Sequence, residues 1–261
     1  MSFPWIRTAA AAAMVALIAT GCDGSADSAA ETPATVSTPV KPAASTPVKP
    51  AAGLESQPVR TIMKKTRLAS LAASNLRMRG TIEDAGRPMT FGISLTKGGG
   101  QGDFAVAGQA YSVRVIGKTV YLQLSEATIR AEAKAGRSSA AETAQMLRLL
   151  KNKWIKLSKV DKDTQAMVDL VTPGRFFRSV FGEDDTDTAA TPRKAAARMV
   201  DGVRCVGLTE DGASMWIDTT TAQLVRMTDG KNQFSFSDYG KVPTPKVPAR
   251  SQVLDGKTMG L

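Results

Sequence analysis

The sequence predicts an α+β fold: a curved antiparallel sheet (half-barrel) with helices packed on its concave face. Two blocks of period-two alternation, residues 76–124 and 199–237, predict the sheet. Helical spacing before the first block and between the two predicts the helices. A closed barrel also satisfies the strand pattern, but helices inserted in mid-chain argue against closure.

Folded structure is expected from about Ser56, read as an N-cap with Pro58 in the first turn and Val59, Ile62 and Met63 at helical spacing. That helix ends near Ala72, and from Asn75 the period becomes two. Leu76, Met78 and Ile82 alternate with Arg77, Arg79 and Thr81, and Met89, Phe91, Ile93 and Leu95 continue the pattern. Phe104 and Val106, then Tyr111, Val113 and Val115, then Val120, Leu122 and Leu124 complete about five strands. Turns at residues 98–102, Gly108 and Gly117 separate them. Ser139 and Glu142 stand in capping-box spacing ahead of Met146, Leu147 and Leu150. Trp154, Ile155 and Leu157 read as a short strand and residues 167–171 as a helix. Thr172 and Pro173 read as N-cap and N1 of a further helix that carries Phe176, Phe177, Val180 and Phe181 and stops at Gly182. After a polar loop over 183–193, strands are expected at 199–208, 215–217, 224–227 and 233–237, with turns at Asp211-Gly212 and Asp229-Gly230. Prolines at 243, 245 and 248 end the sheet.

The amino end reads as an export signal over residues 1–21: Arg7, an apolar run over 8–18, then small residues up to Cys22. That run is short of the roughly 20 residues a membrane-spanning helix needs. Ile18, Ala19, Thr20, Gly21 and Cys22 resemble a bacterial lipobox, whose cysteine thiol receives a diacylglyceryl group. Residues 22–53 then form a tether in which STPVKPAA occurs twice in succession, at 37–44 and 45–52. Its prolines favour extended backbone at about 3.1 Å per residue, a reach of roughly 90 Å. The domain proper is expected over 54–250, with a flexible tail over 251–261. The chain is accordingly expected to be extracytoplasmic, a lipoprotein held at the cell membrane within the cell envelope.

Composition narrows the chemistry. Histidine is absent, which excludes Ser-His-Asp and Cys-His catalysis and the usual zinc sites. With Cys22 lipidated, Cys205 has no disulfide partner. The 34 Lys plus Arg against 24 Asp plus Glu favour anionic partners, and removal of Arg7 still leaves a net charge near +9. Phospholipid headgroups and acidic envelope polymers fit that charge; nucleic acid does not, since no recognition motif accompanies it. Ser94 and Lys97 have S-x-x-K spacing, but in a strand that offset sends them to opposite faces. Gly-Lys-Thr at 117–119 and 256–258 lacks the upstream glycine of a phosphate loop, and the acidic run at Glu183, Asp184, Asp185 and Asp187 lacks the glycine and glutamate of a calcium loop. Cys205, between Val203 and Val206 in a strand pattern, reads as a small buried residue. No enzyme, no metal and no cofactor is expected.

Several segments together resemble the actinobacterial LppX/LprAFG lipoprotein family, whose half-barrel is similar to the periplasmic carrier LolA. They are SNLRMRGTI, TVYLQLS ahead of a helical insert, KWIKL, DGVRC followed by DGASMWID, and QFSFSDYG before the proline-rich end. The resemblance spans about residues 54–248 and implies a protein that holds acyl chains of lipids or glycolipids in an apolar cavity and moves them across the envelope. Inward-facing candidates to line it are Leu76, Met78, Phe91, Ile93, Val113, Val115, Leu122, Leu124, Phe234 and Phe236. Phe176, Phe177 and Phe181, flanked by Arg175 and Arg178, suggest a cavity lid, a contact with lipid headgroups in which the arginines hold phosphate, or a helix whose phenylalanines simply pack on the sheet. The same residues also fit a filled core, in which case the domain is an envelope interaction or sensing module without a lipid ligand.

Overall fold

The computed structural model describes residues 53–84, 86–157, 165, 168–181 and 192–259. The export segment, Cys22, the tether up to residue 52, Met167, Gly182 and the acidic run at 183–187 lie outside the described residues.

A 3-10 turn at Leu54–Ser56 leads into helix α1 (Val59–Ala72). Ser56 is not its cap, because the hydroxyl donates to the Gly53 carbonyl at 2.8 Å and Pro58 takes the cap position. Proline serves there because its missing N–H is one the helix start would leave unpaired anyway. Strands β1 (Asn75–Asp84), β2 (Arg87–Thr96), β3 (Gly99–Val106), β4 (Gln109–Ile116) and β5 (Thr119–Leu124) form an antiparallel meander in chain order. Helix α2 (Glu126–Ala135) follows at once and was not anticipated. Its signal lies in Ser125, whose side chain accepts the Thr128 N–H at 3.1 Å, and in the buried pair Ile129 and Ala133. Helix α3 (Ala140–Leu150) carries the expected capping box: Ser139 Oγ accepts the Glu142 N–H at 3.3 Å, and Glu142 Oε2 accepts the Ser139 N–H at 2.7 Å.

Strand β6 (Trp154–Lys156) and helix α4 (Pro173–Phe181) come next. The second meander is β7 (Arg193–Val200), β8 (Val203–Glu210), β9 (Ala213–Asp218), β10 (Leu224–Asp229) and β11 (Asn232–Ser237). The strand expected over 199–208 is in fact two. They turn at Asp201 and Gly202, both with positive φ (51° and 79°), the backbone that a two-residue Asp-Gly hairpin requires.

The strands of the described residues join one sheet of twelve in the order β12-β6-β5-β4-β3-β2-β1-β11-β10-β9-β8-β7, where β12 is Val253–Asp255. The last strand of the second meander thus returns beside the first strand of the first, pairing Met78 with Phe236 and Gly80 with Phe234. Twelve strands at about 4.8 Å spacing would span roughly 50 Å if flat. Yet Val113 and Val120 on one side and Val206 and Met215 on the other share one core with α1 and α4 residues Ile62, Phe176 and Phe177. The sheet therefore wraps around that core, consistent with ordinary strand twist, and it does not close.

The carboxyl end is a strap along the outer face rather than the tail expected from residue 251. The Val242 N–H donates to Asn75 Oδ1 at 2.8 Å, and Arg114 Nη1 donates to the Lys246 carbonyl at 2.7 Å. Lys153 Nζ then reaches the Ser251 carbonyl at 2.7 Å, and β12 pairs parallel with β6. The prolines end β-pairing only locally, and a three-residue strand resumes beyond them. Arg114 also stacks on Trp154, 4.4 Å from the ring centroid, and thereby fixes the strap to β4 and β6. Ending the chain at Pro248 removes β12 and leaves β6 as an exposed edge. We expect urea unfolding to show a stability loss of about 1–3 kcal/mol, at roughly 1 kcal/mol per net hydrogen bond; an unchanged midpoint would show the strap to be idle.

Candidate functional site

The inner face begins with the register of β1, β2 and β11. Alternation sends Leu76 and Met78, Phe91 and Ile93, and Phe234 and Phe236 to the same side, where all are buried. Phe91 and Phe234 both pair with Gly80, and their ring centroids lie 5.7 Å apart across it. A methyl at position 80 would stand 2.6 Å from Phe91 Cζ and 2.2 Å from the Gln233 carbonyl oxygen, so only glycine admits this contact.

Helix α4 covers this surface. Phe176 packs on Phe234 and Phe236 at centroid distances of 6.4 and 6.0 Å, and Phe177 packs on Phe236 at 6.1 Å and on Phe181 at 6.2 Å. The residue leading toward the helix comes equally close: a methyl on Gly100 would lie 2.1 Å from the Val171 carbonyl oxygen. Of the proposed cavity residues, Leu76, Met78, Phe91, Ile93, Val113, Val115, Phe176, Phe177, Phe234 and Phe236 belong to one buried cluster, with Leu122 and Phe181 half-buried against it. Leu124 is half-buried beyond it, at the β5 end of the sheet. Arg175 pairs with Asp169 at 2.5 Å, and Arg178 is exposed.

The margin near β4 and β5 is less covered. Tyr111, Leu122 and Leu124 are all half-buried there, with Tyr111 stacked on Phe104 at 5.3 Å and its hydroxyl 3.8 Å from Met89 Sδ. Burial pushes the Tyr111 hydroxyl up to about 12.

Helix α1 contributes two residues that sequence reasoning missed. Ile62, Thr66 and Ser70, one turn apart, are all wholly buried, so a helix expected to show only apolar groups inward shows two hydroxyls. Thr66 satisfies its own by donating to the Ile62 carbonyl at 2.9 Å. The Ser70 hydroxyl has no partner among the described residues. Such a group costs about 1–3 kcal/mol relative to a bonded one. The i, i+4, i+8 spacing was the available signal, obscured because Ser and Thr read as exposed by default.

The opposite face of the sheet holds a smaller cluster of Val200, Cys205, Trp216 and Val225. Arg198 covers Trp216, its guanidinium carbon 3.7 Å from the ring centroid. Ser94 is half-buried and Lys97 exposed in the turn that follows β2. Among the described residues no group of three or more acidic or Cys side chains is placed to hold a metal, and no helix is long and apolar enough to cross a membrane.

These features define an open, mostly antiparallel α+β sheet wrapped on a helix-covered apolar face. No protein-family model matches the chain, and no curated protein matches it. Among solved structures it is similar to LprF from Mycobacterium bovis, with 16% identity and a TM-score of 0.46 over 73% of this chain and 97% of that one. It is also similar to the lipoprotein LppX of Mycobacterium tuberculosis, with 10% identity and a TM-score of 0.41 over 72% and 97%. An uncharacterized conserved protein from Thermus thermophilus matches with 10% identity and a TM-score of 0.34 over 76% and 99%. LprF and LppX bear the names of the family that the sequence segments resemble.

Cys205 can be tested directly. It is wholly buried, and burial first, then Asp218 and Asp201, push its thiol up to about 11. At pH 8 only about a thousandth is thiolate. Ellman's reagent is expected to react with the domain from Leu54 onward at least ~100-fold more slowly than with the unfolded chain. Equal rates would place the thiol at the surface.

Proposed function

We propose that this chain is a membrane-anchored cell-envelope lipoprotein, lipidated at Cys22, that binds the acyl chains of a lipid or glycolipid against the inner face of its sheet and passes them on. One observation carries the reading: an apolar surface drawn from both meanders is closed over by α1 and the nine-residue α4 rather than by a second sheet. Acyl chains leave water at about 0.8 kcal/mol per methylene, enough over a long chain to compete with the contacts of one short helix. Withdrawing α4 would expose Phe234 and Phe236, the rings on which Phe176 and Phe177 pack. The less-covered margin at Tyr111, Leu122 and Leu124 extends the apolar surface toward solvent. The unpartnered Ser70 hydroxyl supplies a donor for a carbonyl or hydroxyl at the polar end of the ligand.

A second reading draws on the ring-to-ring packing of Phe176 and Phe177 on the sheet: the core is filled, and the domain is an interaction or sensing module. Native mass spectrometry of the domain from Leu54 onward, purified from an actinobacterial host, separates the two. Lipid adducts that vanish on denaturation support the carrier; a clean mass, with none gained from envelope extracts, supports the filled module. Catalysis has no part in either.

The Ser70→Ala variant sharpens the test. With no hydrogen bond to lose, its unfolding free energy is expected to stay unchanged or rise by up to about 1 kcal/mol, while the fraction carrying lipid falls severalfold. Destabilisation by more than about 1 kcal/mol would show that the hydroxyl is already satisfied.

A further inference from the structure

The solvent face of α1 differs in character from its core face. Arg60, Lys64 and Leu68 recur at i, i+4 and i+8, Lys65 lies beside them, and all four are exposed, Leu68 by 58%. No ion pair engages Arg60, Lys64 or Lys65 among the described residues. Beside this stripe lies a recess of about 500 Å³, lined on the helix side by Lys65, Leu68 and Ala69 and on the other by the turn at Thr219, Thr220 and Thr221.

Further cations converge on the same side. Lys194 donates to the carbonyls of Glu55 and Gln57 at 2.8 and 3.2 Å, and Arg204 lies 3.2 Å from Glu55. Thr219 is bonded to the Arg204 carbonyl, which places that arginine next to the recess. The acids nearby are already engaged: Glu55 by Arg204, and Asp218 by the Thr220 and Thr221 N–H groups and the Thr221 hydroxyl. The chain enters the fold here too, since Gly53, the first of the described residues, and Leu54 line the recess.

We infer that the α1 face formed by Arg60, Lys64, Lys65 and Leu68 docks the domain on an anionic phospholipid bilayer. The cations meet headgroup phosphates and Leu68 enters the boundary between headgroups and acyl chains, as on interfacial helices. The entry point matters because a tether starting beside the docking face can slacken without crossing the domain. Tethering also holds the domain at high effective concentration near the surface, so a weak intrinsic affinity suffices. The inference adds an orientation to the carrier reading but does not require bound cargo.

The test is co-sedimentation of the chain from residue 22, carrying Cys22→Ser so that no acyl anchor contributes, with phosphatidylcholine vesicles that contain or lack phosphatidylglycerol. Binding is expected only with phosphatidylglycerol, falling as salt rises. At about fivefold per cation, Arg60→Gln, Lys64→Gln and Lys65→Gln together lower the partition coefficient roughly a hundredfold. Leu68→Ser alone lowers it severalfold. Removing three exposed cations in the β4–β5 turn, on α2 and just past its end, with Lys118→Gln, Lys134→Gln and Arg137→Gln, is expected to change it by no more than about twofold. Equal losses from the two triple variants would show attraction by net charge alone, and no binding to anionic vesicles would refute docking outright; either result overturns the inference. Circular dichroism confirms folding of each variant, and a first triple variant that loses vesicle binding but keeps lipid adducts separates docking from the carrier reading.

Discussion

An open twelve-stranded sheet must hide an apolar face that it cannot fold onto itself, and the rest of this structure answers that constraint. Two meanders meet in mid-sheet, where β1 pairs with β11, and twist carries their flanks around one core. The cover comes from α1 and α4, two short amphipathic helices. A cover of this kind pairs with no strand, and Phe176 and Phe177 meet the sheet through ring packing. A second sheet or a closed barrel would offer no such opening.

The outer face meets the same constraint differently. The second meander hides Trp216 and Cys205 beneath the Arg198 guanidinium, and the first stacks Arg114 on Trp154 and ties the carboxyl-terminal strap across its strands. In both places an arginine covers an aromatic ring, giving an apolar contact beneath and a hydrated surface above. The outer surface is thereby fixed, which leaves the helices on the inner face as the natural place for movement.

Much of this was legible beforehand because the physics is local. Alternation identified the inward residues of β2 and β11, and the Ser139 capping box and the Thr172-Pro173 start located two helices. What was missed depended on partners distant in the chain. The β1–β11 pairing joins residues over 150 positions apart, and β12 exists because Arg114 and Lys153 hold the strap in reach of β6. The hairpin at Asp201-Gly202 was readable from the same dipeptide that marks Asp211-Gly212, but apolar residues on both sides masked it as one long strand. At the candidate site, periodicity named residues that are mostly buried on the inner face, without indicating that Phe176 and Phe177 of α4 pack directly on them. Ser70 escaped notice because its burial is set by the position of α1, not by its own chemistry.

The central claim is that an acyl chain occupies the space α4 covers. Fluorescence quenching by fatty acids brominated along the chain tests it most directly, since the native indoles of the domain, Trp154 and Trp216, lie on the outer face under arginines. With the indole introduced by Phe177→Trp, the account predicts strong quenching of that new fluorescence while emission from Trp154 and Trp216 in the parent domain stays unchanged. Quenching of the native indoles alone, or none at the introduced one while the fatty acid is demonstrably bound, would place the ligand elsewhere and contradict the account.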